Sequence, residues 1–191
     1  MHERERVRLF VALELPPEVR RVLAAWRERL NPTIARLRLI DPADLHATLC
    51  FLGWAPREDV APILEACRVA ERLEVEEVGL GRALWLPRGR PRVLAVSLED
   101  PAGGLARLQS ALSRALAAGG WYQPETRPYL GHVTVARVGR GVRVERGRPV
   151  EAPIPGDPFG AERVTLYRSH VSSVGARYES LGSVSVGERR D

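Results

Sequence analysis

Residues 44–52 have the sequence DLHATLCFL and residues 132–138 have the sequence HVTVARV, and both stretches predict a β-strand. Each contains a His-x-Thr-x tetrapeptide, which begins at His46 in the first stretch and at His132 in the second. The chain has four histidines and only five threonines, so two such tetrapeptides are not expected by chance. The repeated tetrapeptide is therefore the first candidate for a functional site.

Similar elements precede the two tetrapeptides. In the first half, a predicted strand over residues 8–15 (RLFVALEL) is followed by a helix whose apolar residues have helical spacing between Val19 and Leu30. In the second half, a strand over residues 92–98 (RVLAVSL) is followed by a helix over residues 105–116, which ends at a Gly-Gly pair. Each half thus has the order strand, helix, connection, strand.

The spacing between these elements is nearly equal in the two halves. His46 lies 36 residues after Phe10, and His132 lies 38 residues after Leu94. Such spacing predicts a duplicated unit, with two lobes related by a pseudo-twofold axis. A further helix is predicted from apolar residues between positions 60 and 67, and two further strands over 163–168 and 178–186 complete the sheets. We therefore expect an α+β fold in which residues 1–191 form a single domain of two interleaved lobes.

Composition limits the classes of protein. The net charge is +5, and every basic side chain is arginine, which fits both phosphate binding and a GC-rich genome. No apolar run approaches the roughly 20 residues of a membrane span, and the N-terminal residues have no signal-peptide pattern. Cys50 and Cys67 have no metal-finger spacing and are predicted to be free thiols. We therefore expect a cytoplasmic monomer.

Side chains of a strand alternate between its two faces, which places the histidine and threonine of each tetrapeptide together. On this basis His46, Thr48 and Cys50 share one face of the first strand. His132 and Thr134 share one face of the second strand. If the lobes face each other, two imidazoles and two hydroxyls meet in one cleft.

This set of groups suits phosphoryl transfer. In-line displacement at phosphorus needs one group to accept a proton and another to donate one, and histidine can do either near neutral pH. The threonine hydroxyls can hold the non-bridging oxygens. A zinc site with His46, Cys50 and His132 as ligands is the competing interpretation, although threonine is a poor zinc ligand where a metal site favours histidine or a carboxylate.

The two tetrapeptides, together with RLFVALELP, HATLCFLG, PRVLAVSL, HVTVAR and the closing LYRS and GARYESL, resemble the two-histidine (2H) phosphoesterase superfamily. Within it the chain is similar to the bacterial and archaeal RNA 2′,3′-cyclic phosphodiesterases, also called 2′-5′ RNA ligases. The resemblance covers essentially the whole chain. It implies a bilobal α+β fold with two antiparallel sheets facing a central cleft and helices outside.

The resemblance also implies roles for individual residues and a substrate. His46 is expected to be the general acid and His132 the general base, which leaves a 2′-phosphate and requires neither metal nor cofactor. Thr48, Thr134 and Arg137 are expected to bind phosphate. A base-stacking role for Phe10 is also implied. The expected partner is RNA with 2′,3′-cyclic phosphate ends, including tRNA fragments, and the resemblance also implies reverse 2′-5′ RNA ligation as a second activity.

Several residues have alternative interpretations. Strict alternation places Arg137 on the opposite face from His132, so it reaches the cleft only through a bulge or beyond the strand end. Family members often have proline where this chain has Gly131. His170 is predicted to be a surface residue, and residues 139–160 a loop. A non-catalytic module that binds RNA ends is the alternative function.

Overall fold

Eight strands and three helices are present in the described residues of the computed structural model, which are 5–30, 37–139, 154–171 and 176–187. The strands are β1 (Arg6–Glu14), β2 (Leu37–Leu39), β3 (His46–Pro56), β4 (Gly79–Leu86), β5 (Val93–Glu99), β6 (His132–Val138), β7 (Arg163–Val171) and β8 (Ala176–Ser185). The helices are α1 (Pro17–Arg29), α2 (Val60–Cys67) and α3 (Gly104–Ala118). Every predicted strand and helix is confirmed; most of the predicted loop over 139–160 lies outside the described residues.

The strands form one antiparallel sheet in the order β4-β5-β6-β3-β1-β7-β8, with β2 paired to β6. The α+β prediction is therefore confirmed. Two sheets were expected from the sequence, whereas hydrogen bonding joins the two halves into one sheet at a single pair, Ala47 on β3 and Val133 on β6. This pair lies within the two His-x-Thr-x tetrapeptides, so the junction between the halves is also where the candidate site forms.

The core lies between the sheet and the helices. On β1, Val7 and every residue from Leu9 to Leu13 are buried, which fits a central strand with a neighbouring strand on each side. Pro16 and Pro17 end this strand and begin α1, since proline suits the first helical turn. On α3, one apolar stripe is fully buried, formed by Leu105, Leu108, Leu112 and Leu116. The helix α1 contacts β6, and α3 contacts β3.

Two strands were not predicted, and β3 and β7 extend further than predicted. β2 has only three residues, and β4 has the sequence GLGRALWL, in which two glycines obscure the alternation. The strand predicted over residues 44–52 continues to Pro56 as β3. Gly53 has a φ of 76°, and Leu52 is bulged between paired residues, so the strand bends at this point and continues.

Candidate active site

Each tetrapeptide has its apolar residues in the core and its polar residues toward the cleft. Ala47 and Leu49 are buried on β3, and Val133 and Val135 are buried on β6. The histidine and threonine of each tetrapeptide are partly accessible. Because β3 and β6 pair at the second residue of each tetrapeptide, the two sets of polar side chains lie next to each other. The predicted convergence of two imidazoles and two hydroxyls fits this placement.

A β-bulge at Leu49 changes the face of the residues that follow it on β3. Neighbouring residues Ala12 and Val11 of β1 pair with Thr48 and Cys50, which leaves Leu49 as the extra residue. Cys50 is buried in the core as a result. The prediction that Cys50 shares a face with His46 is therefore wrong, because strict alternation does not continue through the bulge.

The second tetrapeptide also has a β-bulge at its fourth residue. Adjacent residues of β5 pair with Thr134 and Ala136, so Val135 is the extra residue. Ala136 is then buried, and Arg137 turns to the face that carries His132. The bulge that Arg137 needed in order to reach the cleft is therefore present.

Both imidazoles are held by backbone carbonyls two residues upstream. Nδ1 of His46 lies 2.7 Å from the carbonyl oxygen of Asp44, and Nδ1 of His132 lies 2.8 Å from that of Leu130. A carbonyl oxygen only accepts hydrogen bonds, so Nδ1 carries the proton and donates in each case. In the neutral ring, Nε2 is then the nitrogen with a lone pair. Each histidine is thus prepared to exchange a proton through Nε2.

The electrostatic environment of His46 disfavours its charged form. The pKa of the imidazole is lowered to about 4, first by burial and then by the positive charge of Arg137 and by the nearby His132. The hydrogen bond to the Asp44 carbonyl acts in the opposite direction. At neutral pH, the imidazole of His46 is therefore uncharged in this structure.

Aromatic rings surround His46. The centroid of its ring lies 4.9 Å from that of Phe10, 5.1 Å from that of Tyr178 and 5.9 Å from that of Tyr167. Phe10 also packs on both tyrosines and is only 3% exposed. The expectation that Phe10 stacks on a nucleobase does not fit this packing, because its ring is enclosed by its neighbours. Phe10 instead supports the imidazole of His46.

Arg137 is anchored at the same end of the cleft. Its Nη2 donates to the hydroxyl of Tyr178 at 3.3 Å, and its cross-strand partner on β2 is Arg38. No role was predicted from the sequence for Tyr167, Tyr178 or Arg38. The two tyrosines lie in the segments LYRS and GARYESL, which contributed to the family resemblance, so these segments could have indicated that the tyrosines belong to the site.

Two further expectations concern residues outside this cluster. His170 is exposed, and its Nε2 hydrogen-bonds to the carboxylate of Glu179 at 2.8 Å, as expected for a surface histidine. The zinc set of His46, Cys50 and His132 is not brought together, because Cys50 faces the core. Within the described ranges, no group of three or more His, Cys, Asp or Glu residues is arranged to hold a metal ion.

Comparison with known proteins places this chain in a family. A family model described as LigT-like phosphoesterase matches residues 13–94. The chain is 31% identical over 180 residues to the RNA 2′,3′-cyclic phosphodiesterase of Escherichia coli, which covers 91% of this chain and 93% of that protein. It is 30% identical over 191 residues to the RNA 2′,3′-cyclic phosphodiesterase of Thermus thermophilus, covering 94% and 90%.

Solved structures agree with these matches. The crystal structure of E. coli LigT in its apo form superposes with a TM-score of 0.76 at 27% identity, covering 97% of this chain and 99% of that one. E. coli LigT complexed with 3′-AMP superposes with a TM-score of 0.75, covering 95% and 99%. In the part of the chain that the structure describes, no helix is long and apolar enough to cross a membrane. This chain belongs to the LigT-like family of 2H phosphoesterases.

Proposed function

We propose that this protein hydrolyses 2′,3′-cyclic phosphate ends of RNA to 2′-phosphates, with His46 as general acid and His132 as general base. The observation that supports this best is the matched pair of imidazoles, each with Nδ1 committed to a backbone carbonyl and Nε2 left for the substrate. Relatives that share nine-tenths of the chain are named RNA 2′,3′-cyclic phosphodiesterases, and one relative was crystallised with 3′-AMP.

The reaction needs two proton transfers on opposite sides of phosphorus. Nε2 of His132 accepts a proton from water while the water oxygen bonds to phosphorus. The bond between phosphorus and O3′ breaks, and Nε2 of His46 donates its proton to O3′. The products are a 3′-hydroxyl and a 2′-phosphate, and exchange with solvent restores both histidines. When a 5′-hydroxyl attacks phosphorus in place of water, the same two proton transfers break the P–O3′ bond and leave a 2′-5′ phosphodiester and a 3′-hydroxyl, which is 2′-5′ ligation.

The lowered pKa of His46 constrains this assignment. A general acid must be protonated, yet burial and the charge of Arg137 hold the pKa of free His46 near 4. A bound phosphodiester carries a negative charge, which compensates Arg137 and favours the imidazolium form of His46. Substrate binding therefore prepares the acid in this scheme.

The remaining polar residues of the cleft bind the phosphate. Thr48 and Thr134 offer hydroxyls beside the two histidines, and Arg137 offers a cation that Tyr178 holds in place. Preorganised donors of this kind stabilise the charge that develops on the non-bridging oxygens. We infer that residues 1–191 act as a single monomeric domain in the cytoplasm, on RNA ends such as those of tRNA fragments, without a metal ion.

A defined substrate tests the proposal. A short oligoribonucleotide with a 2′,3′-cyclic phosphate is incubated with the protein, and products are analysed by mass and by ³¹P NMR. We expect the mass of one water to be gained and the phosphate to remain on O2′. Saturable binding without product would instead indicate a non-catalytic module that binds RNA ends. A 3′-phosphate product would contradict the assignment of the leaving oxygen.

A further inference from the structure

The fifth residue after each motif histidine differs between the two halves. Arg137 occupies this position after His132, and Phe51 occupies it after His46. In each half, a bulge lies at the third residue after the histidine, two residues before this position. Arg137 pairs with a residue of β5, and Phe51 pairs with a residue of β1. One end of the cleft thus has a cation, whereas the equivalent position in the other half has an aromatic ring that is 46% exposed.

A second exposed aromatic ring lies on the same face as Phe51. Trp54 is 62% exposed and is the cross-strand partner of Arg8, two residues from Phe10 on β1. The bulge at Leu52 restores Trp54 to the face that carries Phe51. Arg8, Phe51 and Trp54 form a continuous surface, which we call the aromatic strip.

Arg8 is fixed within the strip. Its guanidinium carbon lies 4.6 Å from the centroid of the Phe51 ring, and its Nη1 donates to the hydroxyl of Ser169 at 3.1 Å. A cation over one face of a ring leaves the ring edge and opposite face for another partner. The strip therefore combines a positioned positive charge with two exposed π surfaces.

The strip is continuous with the candidate active site. Phe51 pairs across the strands with Phe10, and the ring of Phe10 lies 4.9 Å from that of His46. Beyond Arg8, the face continues to Ser169 and its partner Tyr178 on β8, neither of which carries a negative charge. These residues therefore do not repel a polyanion that is bound at the histidines and extends over this surface.

We propose that the aromatic strip binds the nucleotides on the 5′ side of the terminal cyclic phosphate in single-stranded RNA. Exposed aromatic rings beside a basic side chain are the usual platform for unpaired bases, and the stacking tolerates any sequence. Phe51 and Trp54 stack on bases, and Arg8 attracts the intervening phosphates. This proposal rests on the proposed function, because it assumes that the terminal phosphate lies between His46 and His132.

The test compares two substrates of different length. kcat/KM is measured for a mononucleoside 2′,3′-cyclic phosphate and for a tetranucleotide that ends in the same cyclic phosphate. We expect Phe51→Leu and Trp54→Leu each to lower the ratio of tetranucleotide to mononucleoside kcat/KM by about 5- to 100-fold, the worth of one stacked base. The loss is expected in KM, and Phe51→Tyr and Trp54→Phe are expected to retain the ratio because they keep a ring.

One control variant and one further variant make the result specific. Leu39→Ala removes another exposed apolar side chain, 41% exposed on β2, and should leave the ratio unchanged. Arg8→Gln should reduce the slope of log(kcat/KM) for the tetranucleotide against log[salt] by about 0.7, since one phosphate contact on a single strand is lost. An unchanged ratio in Phe51→Leu and Trp54→Leu would overturn the proposal.

An error in the proposed function can be distinguished from an error in the proposed RNA site. If the wild-type protein hydrolyses neither substrate, the proposed function is wrong, and the strip is tested by binding alone. Fluorescence anisotropy of a labelled tetranucleotide with a 3′-phosphate then compares wild type with Phe51→Leu and Phe51→Tyr. Weaker binding by Phe51→Leu alone supports the strip as an RNA site. Equal binding by all three, or no binding by wild type, would contradict it and favour a protein partner for this surface.

Discussion

The guanidinium of Arg27 in α1 donates a hydrogen bond at 3.3 Å to the carbonyl oxygen of Val135, the bulged residue of β6. Arg27 is 4% exposed, and it also donates to the carbonyl oxygen of Ile40, whose own N–H donates to Val135. The bulge in β3 is held in a similar way, since the Gln109 amide of α3 donates to the carbonyl of Leu49 at 3.4 Å. Each bulge that orients the site is thus held by a helix side chain.

Arg27 is expected to be a positioning residue for Arg137. Arg27→Met should lower the free energy of unfolding by about 1–3 kcal/mol, because the Ile40 carbonyl loses the Arg27 donor and the Val135 carbonyl keeps only the N–H of Ile40. It should also lower kcat more than it raises KM, because the bulge no longer presents Arg137 firmly. Urea denaturation and steady-state kinetics measure both effects. Arg29→Met, an exposed position of the same helix, should change stability by less than about 0.5 kcal/mol, and an equal loss there would contradict the assignment.

The buried imidazole of His46 should make stability depend on pH. Its pKa is lowered to about 4 in the folded protein, so between about pH 6.5 and 4 the unfolded state binds more protons. The free energy of unfolding should therefore fall as the pH falls through this window, with His46 contributing up to about 3 kcal/mol of the loss. Urea titrations of wild type and His46→Asn at pH 7, 5.5 and 4 measure this contribution. Identical pH dependence in the two proteins would contradict it.

Arg137 should act both on the phosphate and on His46. Arg137→Gln removes a positive charge that lowers the pKa of His46, so that pKa should rise. The same change should lower kcat/KM by about 100-fold, because a preorganised cation no longer stabilises the transferring phosphoryl group. NMR titration of the imidazole gives the pKa, and steady-state assays give the rate. A lower His46 pKa or an unchanged kcat/KM in the variant would contradict this role.

Hydrolysis should continue without a metal ion. Cys50 faces the core, so the histidines lack the third ligand that the sequence offered, and a metal on Nε2 would occupy the lone pair that the base needs. The protein is dialysed against a strong chelator, shown by elemental analysis to be metal-free, and assayed on a nucleoside 2′,3′-cyclic phosphate. We expect the rate to be unchanged. Activity that disappears and returns with zinc or manganese would overturn the two-histidine scheme.

Sequence patterns predicted the elements well, but not the local irregularities. The apolar runs around His46 and His132 were long enough to identify β3 and β6. Alternation alone placed Cys50 in the cleft and Arg137 outside it, whereas a bulge in each strand reverses both placements. Bulges depend on hydrogen bonds with neighbouring strands and helices, such as that from Arg27 to Val135, and these partners are remote in the sequence.

The environment of the histidines was similarly beyond sequence reasoning. The carbonyl partners of Nδ1 belong to residues 44 and 130, and their orientation depends on the backbone before each strand. Phe10 was identified as an aromatic near the site, but its role follows from burial by Tyr167 and Tyr178 on the last two strands. The sequence indicated which groups take part, while their orientation required the pairing of β1, β7 and β8.

Single and double substitution of the two histidines tests the central claim most directly. His46→Ala and His132→Ala should each lower turnover of a cyclic-phosphate RNA by about 10²- to 10⁴-fold, the usual worth of a positioned acid or base. Because both act in one transition state, the double variant should lose much less than the product of the two losses. Circular dichroism confirms folding, and His170→Ala, which removes an exposed histidine, should retain wild-type turnover. Near-wild-type turnover in either single variant, or fully multiplicative losses, would contradict the paired acid–base mechanism.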